Sequence, residues 1–227
     1  MALTDNLISY YKLEANSNDS VWSNNWTDTS ISYVSGKIWN CASFNWSTST
    51  MIMNATDIFW TQPISISLWA YLNTLPSWYC ILASYVDSTV DSNILDKNIT
   101  VTSSWDARFF VYDWASKYAI STASISTWVW NHIVWTYDWI TLRVYVNWVL
   151  WWTTVSAFWT YNFANPKIWI SWNVTWTVDR VNWKIDELWI YSRALSWSEV
   201  SQLYNGWAWL TYPFSSTNNA SFLFNIL

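Results

Sequence analysis

The sequence predicts an all-β fold: an antiparallel two-sheet β-sandwich with one short helix near the C-terminus. Three observations carry that expectation. Short runs rich in Val, Ile, Thr, Tyr and Trp recur along the chain, some of them alternating apolar and polar residues. Asn, Asp and Ser clusters separate the runs at close spacing. A helix start signal is legible once, at Ser196-Trp197-Ser198-Glu199.

The elements follow in order. Residues 7–13 (L-I-S-Y-Y-K-L) read as a first strand, and the turn-rich stretch 14–30 as a polar loop. Residues 38–45 form the next strand, and 51–53 a short edge piece. Residues 64–72 (I-S-I-S-L-W-A-Y-L) alternate, as a strand with one buried face does. A strand over 79–85 is followed by an irregular polar stretch, 86–104. Residues 107–112 and 117–122 flank Asp113-Trp114 as a hairpin. Residues 130–137 and 141–146 make a second strand pair, with a short run over 149–154. Strands over 167–171 and 183–191 complete the set.

The helix begins at a capping box. The Ser196 hydroxyl accepts an amide proton while Glu199 reaches back, and Leu195 and Val200 are placed to staple the entry. Leu203 and Tyr204 continue its apolar side, and Asn205-Gly206 supplies the stop. Residues 1–211 read as one domain and 212–227 as a C-terminal tail.

The turns hold a contradiction. The chain has 25 Trp and only 2 Gly in 227 residues. Trp follows Asn or Asp at Asn25-Trp26, Asn45-Trp46, Asp113-Trp114, Asp138-Trp139, Asn147-Trp148 and Asn182-Trp183. It also fills the turn positions Trp22, Trp78, Trp172 and Trp176. Tight hairpin turns need positive φ, which glycine adopts freely and tryptophan does not. Two readings follow. Most of these Trp are glycines in the organism's own protein, encoded by UGA under a variant code; or the chain is truly Trp-rich, for stacking on sugars. The first places Trp26, Trp46, Trp139, Trp148 and Trp183 on exposed loops, with Trp69 and Trp130 buried as genuine core tryptophans.

Composition excludes several functions. A net charge of −5 and scattered Lys and Arg argue against a nucleic-acid partner. No apolar run approaches the length of a membrane-spanning helix. The N-terminus, M-A-L-T-D-N-L-I-S-Y-Y, lacks the basic and apolar regions of a signal peptide. Cys41 and Cys80 could form one disulfide, but their strand context suggests small buried hydrophobes.

Four stretches carry a family resemblance: L-I-S-Y-Y-K-L-E-A-N-S-N-D-S at 7–20, I-S-I-S-L-W-A-Y at 64–71, W-N-H-I-V-W-T-Y-D-W-I-T-L-R-V-Y-V-N-W at 130–148, and K-I-D-E-L-W-I-Y-S-R-A-L-S at 184–196. With Gly at the turns, the chain resembles the laminin G-like, concanavalin A-like lectin/glucanase jelly-roll superfamily, in its pentraxin-related bacterial and phage form. The resemblance implies a jelly roll with two sheets of six or seven strands. It also implies Trp at residues 69 and 130, and Gly at 135, 139, 148 and 183.

By the same resemblance, the chain is a binding module with a structural Ca²⁺ at its rim. Asp186 is the first metal candidate, the equal alternative being a carboxylate that accepts loop amides; Glu14 and Asp19 are secondary, although Glu14-Ala15 stands where the family prefers Asp-Gly. The implied partner is a surface glycan, bound in adhesion or phage receptor recognition. The implied location is extracellular or on a phage virion. The alternative is a structural or protein-interaction domain of a virion or large surface protein, without sugar affinity.

No residue is assigned a catalytic role. His132 is the single histidine and sits within a strand, which points to structure. Glycoside hydrolysis needs paired carboxylates. The only Glu are Glu14, Glu187 and Glu199, and Asp186 and Glu187, adjacent on one strand, should face opposite sides. Tyr85, Tyr112 and Tyr118 could stack on sugar rings, but the ligand-contacting set is not fixed by the sequence.

Overall fold

The computed structural model describes residues 2–45, 47–54, 63–87, 95–113, 115–121, 125–151, 166–170 and 182–204. In chain order the strands are β1 (Leu7–Tyr11), β2 (Thr27–Thr29), β3 (Ser32–Ser35), β4 (Asn40–Phe44), β5 (Thr50–Asn54), β6 (Ile64–Leu72), β7 (Tyr79–Asp87) and β8 (Leu95–Thr102). They continue as β9 (Ala107–Asp113), β10 (Ala115–Ile120), β11 (Trp130–Tyr137), β12 (Leu142–Val146), β13 (Val149–Trp151), β14 (Pro166–Ile170) and β15 (Trp183–Tyr191). A single helix, α1 (Trp197–Tyr204), ends the described chain.

Two antiparallel sheets form, as expected. One runs β13-β12-β11-β6-β15-β4-β3, with β1 also paired to β15; the other runs β10-β9-β8-β7-β14-β5-β2. Leu68, Ile133, Trp135, Val144 and Ile185 of the first sheet share the core between the sheets with Val101, Phe109 and Ile168 of the second. Alternation along each strand sets this arrangement, because successive side chains point to opposite faces.

Much of the outer face of the first sheet is buried as well. Tyr10, Val134, Tyr145, Trp189 and Tyr191 on its outer side pack with Leu195 and with Val200 and Leu203 of α1. That cover explains why β11 and β15 are buried almost throughout rather than at every second residue.

The expected capping box forms. Ser196 N donates to Glu199 Oε2 at 2.8 Å, and Glu199 N donates to the Ser196 hydroxyl at 3.4 Å. The expected hairpin turn also forms: Asn147 and Trp148 both have positive φ (49° and 63°), and Val146 pairs with Val149. Together these define a two-residue primed turn.

Three strands differ from the sequence reading. β8 lies in the stretch expected to be irregular, because the polar run Asp96, Lys97 and Asn98 obscures a strand whose core residues are Ile99 and Val101. β2 and β3 lie in and just beyond the stretch expected to be a polar loop. They are short and terminate their sheets, where polar residues are tolerated. Cys41 and Cys80 are buried on different sheets and are not in a disulfide. Burial, and then the nearby Asp186, pushes the Cys41 thiol up to about 12. The expected Asn205-Gly206 stop and the tail over 212–227 lie outside the described residues.

Candidate functional site

Side-chain chemistry concentrates on the outer face of the eight-stranded sheet. Strand register sets its rows: Trp69 of β6 lies between His132 of β11 and Asp186 of β15, and Tyr71 lies between Trp130 and Lys184. The turn between β3 and β4 folds over the first row. There Lys37 Nζ sits 4.5 Å from the centre of the Trp69 ring. Tyr204 of α1 also stacks on Trp69, with ring centres 5.6 Å apart.

His132 is sealed beneath this cluster. Its Nε2 lies 2.9 Å from the Ser67 hydroxyl, and its ring centre is 5.0 Å from that of Trp69. Burial, reinforced by the Lys37 charge, lowers its pKa to about 3, so the ring is neutral. The structural role expected from its strand position accords with this setting.

Asp186 and Glu187 do not face opposite sides, which corrects the expectation. Four residues of β15, from Asp186 to Trp189, stand opposite three of β6, from Trp69 to Ser67, and Glu187 has φ 51°. This bulge interrupts the alternation. Asp186 Oδ2 accepts hydrogen bonds from the amides of Lys37 (2.8 Å) and Ile38 (2.9 Å). Glu187 Oε2 accepts one from the Tyr10 hydroxyl, whose ring stacks on Trp189. Both carboxyls therefore lie on the outer side, and both are buried. Burial raises Asp186 to about 7, outweighing its amide hydrogen bonds. Burial raises Glu187 to about 8, with the Asp186 charge adding to it and the Tyr10 hydrogen bond opposing it.

The expected calcium ligands are each engaged by backbone amides. Glu14 Oε2 accepts the Asn40 amide, while Asp19 accepts the amides of Tyr10, Val21 and Asn24. With Asp186 on the Lys37 and Ile38 amides, each carboxylate is met by N–H donors, whereas calcium needs a shell of six to eight oxygens. Among the described residues no group of three or more His, Cys, Asp or Glu could hold a metal ion. The residues present do not fit a calcium shell. Asp186 acts as an acceptor for loop amides.

The second row is open where the first is closed. Tyr71 and Trp130 are both half-buried, with ring centres 5.5 Å apart, and the Lys184 ammonium lies 5.2 Å from the Tyr71 ring centre. The sequence reading missed this trio, although the strand pairing and a period of two would have placed it on one face. Trp69 is buried as expected, but Trp130 is half-buried rather than buried.

The other tryptophans divide. Trp139 and Trp148 are exposed in turns as expected, whereas Trp26 and Trp183 are buried, against expectation. Trp183 is the first residue of β15 and stacks on Phe44 in the core, and Trp26 packs edge-on against Tyr11. Trp46, Trp114, Trp172 and Trp176 lie outside the described residues. Tyr85, Tyr112 and Tyr118 belong to β7, β9 and β10, but their side chains lie outside the description.

A two-sheet antiparallel sandwich with this strand order is a lectin-like jelly roll. The chain belongs to the Concanavalin A-like lectin/glucanases superfamily, whose family model matches residues 47–201. No curated protein matches the chain. Among solved structures it resembles domain 4 of AbnA, a GH43 extracellular arabinanase from Geobacillus stearothermophilus, in complex with arabinotriose. That match has 22% identity and a TM-score of 0.71, covering 87% of this chain and 98% of that one. It also resembles the binding domain of Paraclostridial Mosquitocidal Protein 1, with 19% identity and a TM-score of 0.73 over 89% of this chain. A structure of botulinum neurotoxin type C, whose cell entry depends on two ganglioside molecules, matches with 15% identity and a TM-score of 0.69 over 90% of this chain. The chain spans 52% of the length of each of these two toxin chains.

Proposed function

We propose that the chain is a non-catalytic carbohydrate-binding module, acting in adhesion or phage receptor recognition at a cell surface or on a virion. The observation that carries this reading is the half-exposed Tyr71–Trp130 pair with Lys184 beside it. A sugar presents an apolar C–H face that packs on aromatic rings, and its hydroxyls accept hydrogen bonds from an ammonium. Family membership supports the reading, as do the arabinotriose in the complex of one similar structure and the ganglioside interaction on which cell entry of another similar protein depends.

The non-catalytic part rests on the acids. Glycoside hydrolysis needs two carboxyls facing an open cleft, about 5–5.5 Å apart for retention or 6.5–9.5 Å for inversion. Asp186 and Glu187 are instead buried against loop amides and the Tyr10 hydroxyl. His132, neutral and buried against Ser67, is equally closed to substrate.

A glycan array tests the proposal. Selective binding that disappears in Tyr71→Ala and Trp130→Ala, with each variant folded by circular dichroism, supports the module. Silence across the array from folded protein gives the structural or protein-interaction reading instead.

A further inference from the structure

We propose that Trp39, Trp105, Trp128, Trp139 and Trp148 are glycines in the protein the native organism makes, each encoded by UGA. Among the described residues ten non-glycine positions have left-handed φ, and these five are half of them, at 56°, 70°, 63°, 77° and 63°. Tryptophan supplies only 25 of the 227 residues, so it is heavily over-represented there. A Cβ in the left-handed region crowds the following carbonyl. Asn, Asp and Gly tolerate the region, the first two through local hydrogen bonds and glycine because it has no Cβ. Tryptophan has neither remedy.

Position and exposure agree with the dihedrals. Trp39 separates β3 from β4, Trp105 separates β8 from β9, and Trp128 precedes β11; Trp139 and Trp148 turn β11 into β12 and β12 into β13. All five side chains are exposed, from 41% at Trp148 to 68% at Trp39. An indole retained for packing would be covered; these lie where a tight turn requires glycine. UGA is one base from tryptophan's UGG and one base from glycine's GGA. Reading UGA as Trp converts only UGA-encoded glycines and leaves a residue such as Gly36, from an ordinary glycine codon, unchanged.

The assignment is confined to these five. Trp69 and Trp183 pack in strands at ordinary φ and are outside it. It also bears on ligand recognition, independently of the carbohydrate proposal. Trp148 packs 6.4 Å from Tyr204 and 6.0 Å from Trp197, so glycine there uncovers the edge of the aromatic cluster on α1. The turn indoles are then no sugar platform, and aromatic stacking falls to strand residues such as Tyr71 and Trp130.

Tryptic peptide sequencing of the native protein by mass spectrometry decides the matter. The peptide from Tyr118 to Arg143 holds residues 128, 130 and 139 together. Glycine at 128 and 139 with tryptophan at 130 is the expected result; tryptophan at 128 and 139 overturns the proposal. A second measurement compares recombinant chains with Gly or Trp at all five positions. The glycine chain is expected to melt at the higher temperature, and an equal or lower Tm contradicts the backbone argument.

Discussion

At the residue scale, three buried titratable groups make the protein's stability depend on pH. His132 is depressed to about 3, so the unfolded chain binds its proton more readily and acid favours unfolding below the ordinary histidine pKa. Asp186 and Glu187 are raised to about 7 and about 8. Their contribution is full below the ordinary carboxyl range and is lost as pH rises through the folded values. Between roughly pH 4.5 and 6.5 the two acids oppose one histidine, so stability declines with rising pH; above that range the acids act alone. Urea midpoints measured from pH 5 to pH 8 should therefore fall, and Glu187→Gln should flatten the fall. A midpoint that rises across this range would contradict the burial of the pair.

The same carboxyls decide the metal question. Asp186 holds the turn between β3 and β4 through two amides, so Asp186→Ala should lower the Tm with or without added metal. Millimolar calcium should leave the wild-type Tm unchanged. A calcium-dependent rise abolished by the substitution would restore the ligand role that the family resemblance implies for Asp186.

At the element scale, α1 closes the outer face of the eight-stranded sheet and depends on Glu199. That carboxyl completes the capping box and pairs with Arg193 at 2.8 Å, both side chains being largely buried. Burial opposes its charge, but hydrogen bonds from Arg193 and Ser196 prevail and hold its pKa below the usual value. Ser196→Ala should cost about 0.5–2 kcal/mol, the usual range for a lost N-cap. Arg193→Ala should cost more, about 3–5 kcal/mol, because it leaves a buried carboxylate unpaired. Equal denaturant midpoints for the two variants would show that the pair is solvated.

This helix was legible because its signal is local: Ser196 and Glu199 are three residues apart. The β11–β12 pair was legible because β-branched residues and two turn signals bracket it. The bulge at Glu187 was not. Residues on both sides of the slip are apolar (Ile185, Leu188, Trp189, Ile190), so a change of phase leaves the pattern looking continuous. β8 failed for the opposite reason, since its polar half hides two core residues. The acceptor roles of Glu14, Asp19 and Asp186 depend on where loops return, which residue type does not encode.

At the scale of the whole molecule, the sandwich leaves the two rows of its outer face in different states. α1, the N-terminal segment and the turn between β3 and β4 cover Trp69, His132 and the acid pair, while Tyr71, Trp130 and Lys184 stay partly open. The fold class was read correctly from strand count and turn spacing; the open row depended on knowing which faces the helix and turn would cover. The most direct test is an NMR titration of the isotope-labelled protein with the oligosaccharide that binds best on an array. The expected result is saturable shifts concentrated at the Trp130 indole N–H and the amides of Tyr71 and Lys184, lost in Trp130→Ala. Saturable shifts confined to another surface, with these three unmoved, would contradict the assignment of the binding face.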